Sequence, residues 1–132
     1  MYTMKEVCNE IGMTYETLKF YCNEGLVPNV KRDKNNYRYF DEKNIAWLKG
    51  LQCLRKCGMG MKETKQYMNY CMQGPASIPE RKVMLDQTKE SLLLKVEEIY
   101  KCIDYIDNKQ SFYDDVLSGK IKYTSNLIDF EE

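Results

Sequence analysis

Residues 27–40 read VPNVKRDKNNYRYF, and this stretch decides the predicted fold. β-Branched and aromatic residues occupy the two arms, and the tip, from Asp33 to Asn36, consists of residues that favour turns. The pattern therefore predicts a β-hairpin. Four of its residues are basic, which suits a wing that follows a phosphate backbone and also suits a solvated sheet edge: Lys31, Arg32, Lys34 and Arg38.

Two short helices are predicted directly before the hairpin. A capping box of Thr3 and Glu6 starts the first, over about 4–11, and Thr14 is the expected N-cap of the second, which ends near Gly25. Short helices joined by a tight turn are typical of a helix-turn-helix, although an ordinary helical hairpin shares this pattern. The basic hairpin that follows favours the DNA-binding interpretation.

Two further helices are predicted after the hairpin, one from an Asp41 N-cap to Gly58 and one over about 61–72. Gly74-Pro75 then breaks the chain. The predicted fold is mainly α, and its parts are a winged helix-turn-helix DNA-binding domain over 1–74, a linker over 75–79, a coiled-coil dimerisation helix over 80–118 and a short C-terminal tail over 119–132.

The long helix carries an apolar residue every seven positions, with a second series offset by four. A helix of this length, about 55–60 Å, overhangs the head, so its apolar seam needs a partner. A second copy of the chain is the simplest partner, and folding back onto the head is the alternative. The predicted dimerisation residues are Leu85, Leu92, Val96, Ile99, Ile103, Ile106 and Tyr113.

The chain has no net charge, but its charges are unevenly distributed. Residues 1–73 hold 12 basic and 8 acidic residues, whereas residues 74–132 hold 8 basic and 12 acidic ones. A head with a net charge of +4 on a tail with a net charge of −4 indicates that the head is the part that meets a polyanion.

The residue types argue against several classes of protein. The chain has no histidine, and its six cysteines form no Cys-x-x-Cys pair, so we expect neither an enzyme nor a bound metal or other cofactor. No apolar run approaches the roughly 18 residues of a membrane span, and the N-terminus lacks the apolar stretch of a secretory signal. We therefore expect a cytoplasmic protein with free thiols and no membrane partner.

Several segments of residues 1–73 stand in a familiar order and spacing: Tyr2-Thr3-Met4-Lys5-Glu6-Val7, Thr17-Leu18-Lys19-Phe20-Tyr21, Glu24-Gly25-Leu26-Val27-Pro28, Asn36-Tyr37-Arg38-Tyr39-Phe40 and Leu54-Arg55-Lys56-Cys57-Gly58-Met59. Together they resemble the MerR family of transcription regulators. The resemblance implies a homodimer held by an antiparallel coiled coil, with each head on half of a palindromic promoter element. It also implies that the dimer bends and untwists promoter DNA for RNA polymerase.

The resemblance places DNA contacts on the second helix and the wing, at Thr14, Tyr15, Thr17, Lys19, Tyr21, Lys31, Asn36, Tyr37 and Arg38. Lys19 stands where the family most often has arginine. It keeps the positive charge but lacks the guanidinium group, which can make two parallel hydrogen bonds to one acceptor group. Phe20 stands where tyrosine is common and lacks the hydroxyl. Core packing is an almost equal interpretation for Tyr21 and Tyr37.

The resemblance leaves the signal open. Metal-sensing members carry paired cysteines after the long helix, and this chain has no cysteine beyond Cys102. The linker and coil are closer to a subgroup that responds to thiol or aldehyde stress through a cysteine in the third helix, where Cys53 stands; the alternative is that Cys53 is a core residue.

Two other functions stay open. One is a regulator of the same fold that binds an apolar small-molecule effector among the aromatic residues of the coil end, which are Tyr100, Tyr105, Phe112, Tyr113 and Tyr123. The other is a coiled-coil interaction protein that does not bind DNA. The basic wing argues against the second.

Overall fold

The computed structural model of this chain describes residues 1–130. This part of the chain holds five α-helices and one three-stranded sheet, which confirms the mainly helical fold with a small β wing. The elements are β1 (Tyr2–Thr3), α1 (Met4–Ile11), α2 (Tyr15–Asn23), β2 (Lys31–Arg32), β3 (Arg38–Phe40), α3 (Glu42–Lys56), α4 (Met61–Met72), a 3-10 turn (Gly74–Ser77) and α5 (Ile78–Leu117).

Side-chain caps start the first two helices where the sequence predicts. Thr3 Oγ1 accepts a hydrogen bond from the Glu6 amide, and Glu6 Oε1 accepts one from the Thr3 amide, both at 3.2 Å. Thr14 Oγ1 accepts from the Thr17 amide, also at 3.2 Å. These bonds satisfy amides that a helix start leaves free, so both helices of the helix-turn-helix begin at fixed residues.

The predicted hairpin forms, and a third strand, which no sequence pattern predicts, completes its sheet. β3 lies in the middle and pairs antiparallel with β2 and with β1. Tyr2 stands opposite Phe40, and Lys31 stands opposite Tyr39. β1 runs directly into α1, so this pairing joins the wing to the start of α1.

The tip of the hairpin is closed by a side chain. Asp33 Oδ1 accepts from the amides of Asn35 at 2.9 Å and Tyr37 at 3.0 Å. Asn36 has a left-handed φ of 67°, which asparagine tolerates better than most residues. Asp33 and Asn36 thus form the turn that the sequence predicts at the tip.

The core of the head lies where α1, α2, α3 and β3 meet. Burying one aliphatic or aromatic side chain contributes about 1.5–3 kcal/mol to the free energy of unfolding. A cluster of buried side chains therefore fixes how the helices and the wing are arranged. Its fully buried members come from these elements and from the loop after α2: Val7, Leu18, Leu26, Phe40, Leu48 and Leu51.

A buried amide joins α3 to the loop between α2 and the wing. Asn44 is 5% exposed. Its Nδ2 donates to the Pro28 carbonyl at 3.0 Å, and its Oδ1 accepts from the Asp41 amide at 3.0 Å. The Trp47 indole, one turn further along α3, donates to the Leu26 carbonyl at 2.7 Å. Both side chains therefore satisfy backbone carbonyls of this loop and hold it against α3.

α5 begins two residues before the predicted start. Residues 75–79, predicted as a linker, form part of the 3-10 turn and the first residues of α5. The buried Ser77 hydroxyl donates to the Tyr70 carbonyl, and Arg81 Nε donates to Ser77 Oγ at 3.0 Å. The chain divides into two compact units, Met1–Glu90 and from Ser91 onward, and the predicted domain bounds stay a prediction.

α5 has 40 residues and a length of about 60 Å. Within the described part of this single chain, none of its residues is buried. Among residues 1–130, no helix combines the length and the apolar character that crossing a bilayer requires.

Replacing Asn44 with alanine is expected to lower the free energy of unfolding by about 1–3 kcal/mol, because the Pro28 carbonyl and the Asp41 amide lose their partner. Urea unfolding followed by circular dichroism measures this loss. Asn69→Ala, at an exposed site of α4, is the matched control and should change the free energy by less than about 0.5 kcal/mol. Equal stability of the two variants would contradict the role given to Asn44.

Candidate nucleic-acid interface

The start of α2 presents predicted DNA-contacting side chains to solvent. Tyr15 and Lys19 are exposed, as is Phe20 beside them. The Thr14 hydroxyl donates to Thr17 Oγ1 at 2.8 Å, so the two threonines form one capped helix start. Polar side chains at the start of a recognition helix are the ones placed to meet base edges.

Tyr21 lies in a different environment from the rest of this set. It is 8% exposed and packs in the core cluster with Leu18. Its ring centroid lies 6.1 Å from that of Phe20. Packing accounts for Tyr21 in this structure, and a DNA contact by its hydroxyl stays a prediction.

The predicted wing residues are more accessible. Lys31 and Asn36 are exposed, and Tyr37 is 71% exposed, so its ring does not pack in the core. Arg32 Nη1 donates to the Asn36 carbonyl at 2.8 Å, which holds one arginine along the hairpin. The wing thus exposes polar and aromatic side chains to solvent, on a hairpin whose backbone is held by hydrogen bonds.

One hydrogen bond joins the wing to α2. Arg38 Nη2 donates to Asn23 Oδ1 at 2.7 Å, and Arg38 is half-buried. No local sequence pattern points to Asn23, because the two residues stand 15 positions apart and only the fold brings them together. A guanidinium carries five N–H donors, so Arg38 can still donate to another acceptor while Asn23 fixes its orientation.

The six cysteines are free thiols that differ in access to solvent. Cys53 on α3 and Cys102 on α5 are exposed, whereas Cys22 on α2 is half-buried. Burial raises the pKa of the Cys22 thiol, and the positive charges of Arg38 and Arg32 oppose this rise with smaller effects. Among residues 1–130, no three side chains of metal-binding type lie close enough together to hold an ion.

Comparison with known proteins identifies the family to which this fold and surface belong. The model of the MerR HTH family of regulatory proteins matches residues 2–71, which is more than half of the chain. The chain belongs to the MerR family. The matched residues include α2, the wing and α3, so the family resemblance inferred from those segments is confirmed.

Individual relatives extend this match beyond the head. An HTH-type transcriptional regulator of Haemophilus influenzae is 34% identical over 112 residues, which cover 85% of this chain and 83% of that protein. The HTH-type transcriptional regulator AdhR of Bacillus subtilis is 31% identical over 88 residues, 67% of this chain and 63% of AdhR.

A solved structure matches over a similar length. It is the crystal structure of HiNmlR, described as a MerR family regulator lacking the sensor domain, bound to promoter DNA. Its TM-score is 0.77 and its sequence identity is 32%, and the match covers 89% of each chain. The fold of this MerR protein therefore matches that of a relative over most of both chains.

Proposed function

We propose that this MerR protein regulates transcription by binding promoter DNA as a homodimer. The observation that carries the proposal is the pair of α2 and the wing, which have exposed basic side chains and are joined by the bond between Arg38 and Asn23. Family membership and the relatives named as transcriptional regulators support it, and a coiled-coil interaction protein is the weaker alternative. Such a regulator acts on DNA in the cytoplasm, and we propose no catalytic role for it.

The side chains of this surface divide into two proposed roles. The first group lies on α2, reads base edges in the major groove and consists of Thr14, Tyr15, Thr17 and Lys19, with the Tyr21 hydroxyl behind them. The second group lies on the wing, positions the head on the phosphate backbone and consists of Lys31, Asn36, Tyr37 and Arg38. Both groups are held by one core, so they meet the DNA together.

Arg38→Ala and Lys19→Ala are expected to weaken DNA binding in different ways. Loss of a phosphate contact by Arg38 lowers affinity similarly for all sequences and reduces the slope of log K against log salt by about one. Loss of a base contact by Lys19 costs roughly 1–3 kcal/mol and relaxes specificity at one position. Fluorescence anisotropy with duplexes that the parent protein selects from a random library measures both effects.

The matched control for both variants is Lys101→Ala. Lys101 is exposed on α5, where its Nζ lies 3.5 Å from Glu98 Oε1, and it belongs to the second unit of the chain. Its replacement should leave DNA affinity unchanged. Unchanged affinity in both head variants, or an equal loss in the control, would overturn the assignment.

The dimer proposal rests on the apolar seam of α5. Apolar side chains at heptad spacing are stabilised when a second helix covers them, by about 25 cal/mol for each Å² removed from water. A second α5 in antiparallel orientation is the proposed partner. Leu92 is half-buried in the single chain, and the other six seam residues are 39–58% exposed: Leu85, Val96, Ile99, Ile103, Ile106 and Tyr113.

Ile99→Glu or Ile106→Glu is expected to convert the dimer into monomers, because each substitution places an unpaired charge in the seam. Light scattering coupled to gel filtration, with the full chain at micromolar concentration, measures the molecular mass. Leu94→Glu is the control, because Leu94 lies on α5 outside the seam and is 64% exposed. A monomeric parent protein would refute the dimer, and equal dissociation by the control would refute the seam.

On the promoter, the dimer is proposed to read two half-sites and to bend and untwist the DNA between them for RNA polymerase. Smoothly bending a DNA site of about 20–30 base pairs costs of order 1–6 kcal/mol. Phosphate contacts from two wings offset that cost, and this is the reason for proposing several such contacts on each head.

We propose Cys53 as the sensor, in a subgroup that responds to electrophiles such as aldehydes. Cys53 is exposed on α3, so a reagent in solution can reach it. The same helix carries Asn44 and Trp47, which hold the loop between α2 and the wing. An adduct that displaces α3 therefore changes the position of the wing relative to α2.

Cys53 is expected to react with iodoacetamide faster than Cys22. Cys53 is exposed, whereas burial raises the pKa of Cys22, so less of Cys22 is thiolate at neutral pH and its rate rises only at higher pH. Mass spectrometry over time measures each site. Cys53→Ser should abolish promoter activation by aldehydes, while Cys102→Ser, at another exposed thiol, should leave it intact. A parent-like response of Cys53→Ser would refute the sensor.

A further inference from the structure

A cavity of about 600 Å³ lies between the last turns of α5 and the segment that follows it. Its lining belongs to the second unit of the chain and lies outside residues 2–71, which match the family. The volume is typical of a pocket that holds a small organic molecule. Four of the lining residues are aromatic: Tyr105, Phe112, Tyr123 and Tyr113, the last of which also belongs to the proposed dimer seam.

Aromatic contacts pack the segment after α5 against the end of that helix. Gly119 has a left-handed φ of 81°, which turns the chain at the end of α5. The Tyr123 ring then packs against Phe112, with centroids 6.5 Å apart, and edge-on against Phe130 at 5.3 Å. Such aromatic pairs stabilise the segment by more than the burial of their apolar surface alone. The segment after α5 therefore forms a packed wall of the cavity.

A cation lies in this aromatic surrounding. Lys109 is half-buried, and its Nζ is 5.9 Å from the ring centroids of both Tyr105 and Phe112. Within residues 1–130, no carboxylate lies within ion-pair distance of Lys109. An ammonium in a partly apolar site is strongly stabilised by a charged hydrogen-bond acceptor, which a ligand can supply.

A hydroxyl donor also lines the cavity. Ser125 Oγ accepts hydrogen bonds from the amides of Leu127 at 3.0 Å and Ile128 at 3.2 Å, which leaves its own proton for donation. The side chains of Asn108 and Asn126 add amide groups to the lining. The polar part of the cavity therefore offers donors, as an oxyanion requires.

We propose that this cavity binds a small aromatic carboxylate. The ligand ring packs among the aromatic side chains, and its carboxylate accepts hydrogen bonds from Lys109 and Ser125. An apolar effector at this end of the coil is one of the alternatives that the sequence leaves open, and Lys109 favours an aromatic acid in that place. The site does not depend on DNA binding, so binding can be measured with the protein alone.

Isothermal titration of the full chain with phenylacetate and with phenylacetamide tests the proposal, because the two probes differ mainly in charge. Phenylacetate is expected to bind once per chain and more tightly than the amide. Lys109→Met keeps the length of the side chain and should weaken phenylacetate about tenfold, with no effect on the amide. Tyr105→Leu should weaken both probes, because it removes part of the aromatic lining.

Lys101→Met is the matched control, since it removes a charge from an exposed lysine of the same helix. It should leave both affinities unchanged, and circular dichroism checks that each variant keeps its helical content. The proposal is overturned if phenylacetate does not bind at millimolar concentration, if the two probes bind equally, or if the control weakens phenylacetate as much as Lys109→Met.

Discussion

The Asn44 carboxamide is buried where α3 begins, and it hydrogen-bonds both to the cap of its own helix and to the loop after α2. A buried polar group without a partner costs about 1–3 kcal/mol, so the loop is stable only in the position that satisfies this amide. Trp47 holds the Leu26 carbonyl of the same loop. Because this loop leads from α2 to the wing, α3 sets the spacing between the two parts of the proposed DNA-binding surface.

Fixed spacing matters because a winged head meets a groove and the neighbouring backbone at the same time. Arg38, a proposed phosphate contact, is oriented in the protein alone, since Asn23 already accepts one of its hydrogen bonds. Orientation in advance lowers the cost of ordering a long side chain on binding. Cys53 lies on the helix that positions the loop, so the proposed signal and the DNA geometry share one element.

Much of the fold follows from signals between residues close in sequence. Capping depends on side chains three positions apart, so Thr3, Thr14 and Asp41 could be identified as helix starts, and the structure confirms them. Features that depend on distant residues could not be predicted. β1 has two residues, too few for an alternating pattern, and Asn23 carries no sequence signal for its bond to Arg38. The aromatic residues of the cavity at Lys109 could be identified from the sequence, but the cavity itself depends on the chain turning back after α5.

The α2 helix and the wing are proposed to act as one DNA-binding surface in which Asn23 orients Arg38. The most direct test is a double-mutant cycle of Asn23→Ala and Arg38→Ala, measured as affinity for one duplex at one salt concentration. Asn23→Ala is predicted to weaken binding by the parent protein and to have no effect once Arg38 is alanine, a coupling of about 1 kcal/mol. Additive losses, or an affinity that neither substitution changes, would contradict the proposal that α2 and the wing bind DNA as one surface.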